Sequence, residues 1–124
     1  MIAVALIAGL AAAGCGPSDR ERTDVAVAWD VFPEPVRVGE TTVTVHITDD
    51  EGSPIRNADV VLEGTMSHPG MRPVRVVGRE TRPGRYAGML RLTMAGDWVF
   101  ILEATLADGS SVRREHEVPD VRLE

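Results

Sequence analysis

Hydrophobic and polar residues alternate with a period of two along most of the chain after residue 24. The clearest run is 41–48, where Val43, Val45 and Ile47 alternate with threonines and a histidine. Such alternation is typical of β-strands that bury one face. Similar runs recur every eight to twelve residues or so, the spacing found in sandwich domains. The pattern therefore predicts about seven strands and an all-β fold.

Residues that favour turns separate these runs. Residues 49–54 (DDEGSP) form the strongest turn signal, and Pro83-Gly84 and Asp108-Gly109 mark two more. Glycine tolerates positive φ, and aspartate hydrogen-bonds to its own backbone, so both stabilise reversals. Short strands joined by such turns predict an immunoglobulin-like antiparallel β-sandwich, which we assign to residues 25–124.

The first fourteen residues are apolar and small and carry no charge. This run is shorter than the roughly 20 residues that a membrane-spanning helix needs, but it matches the apolar part of a secretory signal peptide. The sequence Ala-Ala-Gly-Cys-Gly follows and resembles the lipobox of bacterial lipoproteins. We therefore expect a signal peptide over 1–14, a lipid on Cys15 and a flexible tether over 15–24. In the alternative interpretation, Cys15 is a small apolar residue of a truncated membrane segment.

Composition agrees with export. Cys15 is the only cysteine, so no internal disulfide can form, and a lipidated cysteine offers no thiol for catalysis or zinc. The net charge is −6, and the arginines alternate with acidic residues, so nucleic acid is not an expected partner. We expect the chain on the extracytoplasmic side of the bacterial cell envelope, in the periplasm or on the cell surface.

Enzyme signatures are missing from the sequence. It has no G-x-S-x-G, no glycine-rich phosphate loop, no H-E-x-x-H and no cysteine pair. Ser67 and His68 are neighbours, but adjacent side chains rarely align as nucleophile and base. We therefore predict a non-enzymatic domain.

Residues 64–72 (GTMSHPGMR) bring two methionines and a histidine into one irregular segment. The soft thioethers of Met66 and Met71 and the imidazole of His68 suit copper, Cu(I) more than Cu(II). The segment offers no carboxylate cage for calcium or magnesium. However, methionine also fills gaps beneath loops, and a loop histidine is often only solvated. The spacing alone leaves both interpretations open.

This loop, followed by residues 83–86 (PGRY) and 92–98 (LTMAGDW), resembles the YtkA-like domain over residues 36–118. That family comprises small exported immunoglobulin-like sandwiches, often lipoproteins, which are similar to FixH-type proteins and to copper-resistance sandwiches of the CopC type. The resemblance implies a copper role, with metal ligands at Met66, His68, Met71 and Met94.

The same motifs also have structural interpretations. Met94 follows the inward register of its strand and could equally belong to the core. Tyr86 is expected to tie down a neighbouring backbone segment through its hydroxyl, Trp98 to lie in the core, and Gly96 to supply a turn conformation. The competing function is a metal-free adaptor or accessory module of an envelope complex, which would need a protein partner and an exposed apolar patch or open sheet edge.

Overall fold

The computed structural model describes residues 21–68 and 70–123. In this part of the chain the secondary structure consists of seven strands, each paired antiparallel to its neighbours, and no helix that could cross a membrane is found. The strands are β1 (Ala26–Phe32), β2 (Gly39–Thr48), β3 (Asp59–Thr65), β4 (Val74–Arg82), β5 (Arg85–Leu92), β6 (Gly96–Thr105) and β7 (Ser111–Val121). The predicted all-β class and strand number are confirmed.

Strand β4 joins the two layers of the fold. The strand order is β1-β2-β5-β4-β3-β6-β7. Residues 74–78 of β4 pair with β3, whereas the residues from Arg79 onward pair with β5. A layer of β1, β2 and β5 therefore folds over a layer of β3, β6 and β7, and the predicted antiparallel sandwich is confirmed.

The core lies between these layers and contains the residues that the alternation predicted. Val43, Val45 and Ile47 of β2 are fully buried, as are Trp98 and Phe100 of β6. All buried hydrophobic side chains of the described residues fall within 25–121. A fragment that begins at Ser18 therefore contains the whole folding unit.

The antiparallel strands give the sandwich two distinct ends. The amino-terminal end holds the start of β1, the β2–β3 loop (residues 49–58), and the β4–β5 and β6–β7 turns. The opposite end, here called the methionine end, holds the β3–β4 loop (residues 66–73) and the β5–β6 turn (residues 93–95).

The chain already contacts the domain before β1. Glu21 bridges to Ser111, and the Arg22 amide donates to the Ser111 carbonyl at 2.8 Å. These residues belong to the segment predicted as a tether. Cys15 and the predicted signal peptide lie outside the described residues.

A clamp at the amino-terminal end holds the β2–β3 loop. The Tyr86 hydroxyl donates to the Ile55 carbonyl (2.7 Å) and accepts from the Ala58 amide (3.1 Å). The Glu80 carboxylate accepts from the Asn57 amide (3.2 Å) and the Gly84 amide (3.1 Å). The expectation that Tyr86 ties down a backbone segment is confirmed.

Thr41 is a polar residue at a core position of β2. Its side chain is fully buried, and its Oγ1 has no hydrogen-bond partner among the described residues. A buried hydroxyl without a partner loses its hydration and gains nothing in return. We expect Thr41→Val to raise the free energy of unfolding by about 1 kcal/mol, measured by urea denaturation. Thr44→Val, on the outer face of the same strand, is the matched control. Equal changes in the free energy of unfolding in the two variants would show that the buried, unpartnered hydroxyl of Thr41 is not the cause.

Candidate metal site at the methionine end

Backbone hydrogen bonds fold the β3–β4 loop into a compact turn. The His68 amide donates to the Met66 carbonyl at 2.9 Å, and the Met71 amide donates to the His68 carbonyl at 3.2 Å. Gly70 has a φ of 84°, a left-handed conformation that glycine adopts without steric cost. The loop therefore holds the backbones of all three predicted loop ligands within one turn.

Two of the four predicted metal ligands share a cavity. This cavity of about 500 Å³ lies where the loop meets the adjacent ends of β6 and β7. Met66 is half-buried there, and His68 is exposed. The lining residues are Met66, Ser67, His68, Asp97, Trp98, Val99, Glu117 and Pro119. Met66 and His68 thus line a common solvent-accessible space.

The other two predicted ligands do not line this cavity. Met71 and Met94 are half-buried and pack against the hydrophobic core, as Met66 also does. The carbonyl of Met94 also accepts a hydrogen bond from the Trp98 indole at 2.9 Å. For these two methionines the structure favours the core interpretation that the sequence left open.

Gly96 connects the β5–β6 turn to the loop. Its φ is 129°, so the expected turn conformation is confirmed. A Cβ atom on Gly96 would lie only 3.0 Å from the Met66 methyl carbon. The glycine therefore leaves the space into which Met66 packs. The sequence alone could not show this contact, because the pairing of β3 with β6 creates it.

Two carboxylates join the cavity without completing a metal cage. Asp97 and Glu117 lie on its wall, and Asp97 accepts a hydrogen bond from the Asp120 amide at 2.8 Å. Among the residues that the structure describes, no three His, Cys, Asp or Glu side chains form a group that could hold a metal ion. A metal here would rely on Met66 and His68, a donor pair that fits copper. The sequence carries no signal for either acid, because both resemble ordinary solvated residues on outward strand positions.

A second cavity, of about 520 Å³, lies along the seam between β1 and β7. Trp29 and His116 stack there with ring centroids 5.1 Å apart and an interplanar angle of 12°. No methionine lines this cavity. It therefore lacks the soft donors that copper(I) prefers.

Solved structures show the same fold at low sequence identity. The chain is similar to the Lin-41 filamin domain (18% identity, TM-score 0.54), covering 89% of this chain and all of that one. It is also similar to the soluble domain of PmoD from Methylocystis sp. ATCC 49242 (10% identity, TM-score 0.51), covering 75% of this chain and 89% of that one. A third similar structure is a superoxide reductase (neelaredoxin) from Ignicoccus hospitalis, with 15% sequence identity and a TM-score of 0.51. The match covers 75% of this chain and 77% of that one. These similarities concern the fold alone.

Sequence comparison gives the family. No curated protein matches the chain significantly. The profile of the YtkA-like family matches residues 20–103, which include the methionine loop and the segments 83–86 and 92–98. The match begins earlier and ends earlier than the resemblance noted over 36–118. Since it covers more than half of the 124 residues, the chain belongs to the YtkA-like family.

Proposed function

We propose that this protein is a membrane-anchored, non-enzymatic domain of the bacterial cell envelope that binds copper at the methionine end. The observation that carries the proposal is that Met66 and His68 line one accessible cavity. The predicted signal peptide over 1–14 and the predicted lipid on Cys15 support a position on the extracytoplasmic side.

The donor chemistry favours Cu(I) over Cu(II). A thioether is a soft ligand, and an imidazole is borderline, so the pair stabilises the softer ion. Met71 and Met94 are both assigned packing roles, because neither lines the cavity and both pack against the core. Asp97 and Glu117 add negative charge to the wall, which raises the local concentration of cations.

The test is an anaerobic Cu(I) titration of the fragment that begins at Ser18, against a competing chelator. We expect one-to-one binding. Met66→Ala/His68→Ala should weaken it by more than the roughly 10- to 100-fold that loss of an outer-shell partner costs. Met71→Ala and Met94→Ala should leave the affinity unchanged, because neither side chain lines the cavity.

The matched control exchanges the same residue types on another face. Met89→Ala/His46→Ala removes a thioether and an imidazole from the outer positions of β5 and β2, away from the cavity. This variant should bind like the unaltered fragment. Failure of the unaltered fragment to bind, or full binding by Met66→Ala/His68→Ala, would exclude the proposed site.

The second candidate is the metal-free adaptor. Phe32 and Met89 favour it, because both are large apolar residues that remain exposed, at 70% and 52%. Both pair with Thr42, so they form one cross-strand row on the outer face of their layer. If the titration shows no copper binding, crosslinking of the intact protein in its membrane would identify the partner that this function requires.

A further inference from the structure

The outer face of β4 and β5 carries arginines on both sides of two exposed apolar side chains, Val77 and Met89. Val77 of β4 is 67% exposed and lies on the same side of its strand as Arg79. On β5, Met89 lies between Ala87 and Arg91. Ala87 is in register with Arg79 of β4, so Arg79 and Arg91 lie on either side of Met89. We call this surface the arginine face, defined by Phe32, Val77, Arg79, Arg82, Arg85, Met89 and Arg91.

Two carboxylates lie on this outer side, Glu40 in register with Arg91 and Asp30 two residues before Phe32, but Arg79, Arg82 and Arg85 form no ion pair with other described residues. The ion pairs among the described residues involve Arg22, Arg75, Arg113 and Arg122, and none of the arginines of the face. Arg82 and Arg85 even lie directly opposite each other. Like charges in such a cross-strand pair are destabilising. In a chain of net charge −6, three neighbouring arginines without an ion pair favour an anionic partner from outside the domain.

The combination of arginine and apolar side chains fits a lipid surface. Arginine binds phosphate with a planar, bidentate geometry. Exposed apolar side chains between basic residues enter the boundary between headgroups and acyl chains. The chain also enters the sandwich at β1, an edge strand of the same layer. This last argument rests on the proposed anchor at Cys15, which would hold the arginine face close to a bilayer.

The orientation is compatible with the candidate copper site. Val99 and Glu117 are in register with each other, and the adjacent Trp98, Phe100 and Val118 are buried, so Val99 and Glu117 point to the outer face of the opposite layer. Both line the cavity of Met66 and His68. We propose that the arginine face lies on anionic phospholipids and that the copper cavity faces away from the membrane.

The experiment is sedimentation of the fragment from Ser18 with vesicles of phosphatidylglycerol and phosphatidylcholine, and with vesicles of phosphatidylcholine alone. This fragment lacks Cys15, so binding reports the face and not the lipid. We expect binding to the anionic vesicles only, reduced by added salt. Arg79→Glu/Arg91→Glu should lower the partition coefficient at least about 30-fold, since two arginines at an anionic surface contribute about that factor.

The control must change the net charge equally at another place. Arg56 and Arg72 are exposed, form no ion pair with other described residues and lie in the two loops outside the face. Arg56→Glu/Arg72→Glu should keep most of the binding. The proposal is overturned by equal losses in both variants, by no binding to anionic vesicles, or by equal binding to neutral ones. Met66→Ala/His68→Ala should bind vesicles normally, which separates this test from the copper proposal.

Discussion

Gly84→Ala is expected to lower the free energy of unfolding by about 2–4 kcal/mol. Gly84 has a φ of 77°, a left-handed conformation that costs a residue with a Cβ atom about 1 kcal/mol or more. A Cβ atom would also lie 2.7 Å from the Cβ of Pro54 and 3.0 Å from the Ile47 carbonyl oxygen. The backbone of the β2–β3 loop would have to move, and overpacking of this kind typically costs about 1–3 kcal/mol.

Gly52→Ala separates the two causes. Gly52 has a similar φ of 81°, but no atom lies within 4 Å of the position that its Cβ atom would take. The Gly52→Ala variant should therefore lose only the free energy due to the left-handed backbone conformation, about 1 kcal/mol. Urea denaturation of both variants measures the difference. Equal destabilisation would show that the contact with Pro54 and Ile47 does not matter.

Tyr86→Phe is the second large effect, with an expected loss of about 2–3 kcal/mol. The substitution keeps the ring in the core but removes both bonds of the hydroxyl, to the Ile55 carbonyl and from the Ala58 amide. Both backbone groups then lose a partner in a partly buried place. Urea denaturation measures the loss, and a loss below that of Thr44→Val would contradict the clamp.

The same residue predicts an alkaline limit of stability. Burial raises the pKa of the Tyr86 hydroxyl, and the nearby Glu80 carboxylate adds to this. The folded state therefore holds this proton more tightly than the unfolded chain does. The resulting stabilisation is complete below the unfolded pKa of about 10 and is lost as the pH rises through the folded pKa.

The composition of the chain allows an alkaline loss of stability to be assigned to Tyr86. Tyr86 is the only tyrosine, and the chain contains no lysine, so no other side chain of the Ser18 fragment titrates near this pH. The free energy of unfolding, measured as a function of pH, should decline above about pH 10 in the unaltered fragment. The Tyr86→Phe variant should not show this decline. The same decline in both proteins would rule out Tyr86 as its cause.

The family motifs show how far sequence reasoning reached. Residues 83–86 marked a turn and a tyrosine that ties down backbone, and both were confirmed because local conformation and a buried hydroxyl constrain them. Their target could not be predicted. The contacts of Gly84 and Tyr86 with the β2–β3 loop depend on the pairing of β2 with β5, which is not local in sequence.

The sequence by itself determined the strands and their inward faces, because period-two alternation reflects burial on one side of each strand. It also located the methionine loop. Only the tertiary structure decided which donors share a cavity, since the pairing of β3 with β6 places Met66 beside Gly96. Met66, Met71 and Met94 all pack against the core, and of these three only Met66 also lines the cavity. Alternation says which side of a strand is buried, but the packing of distant strands decides which side chains meet.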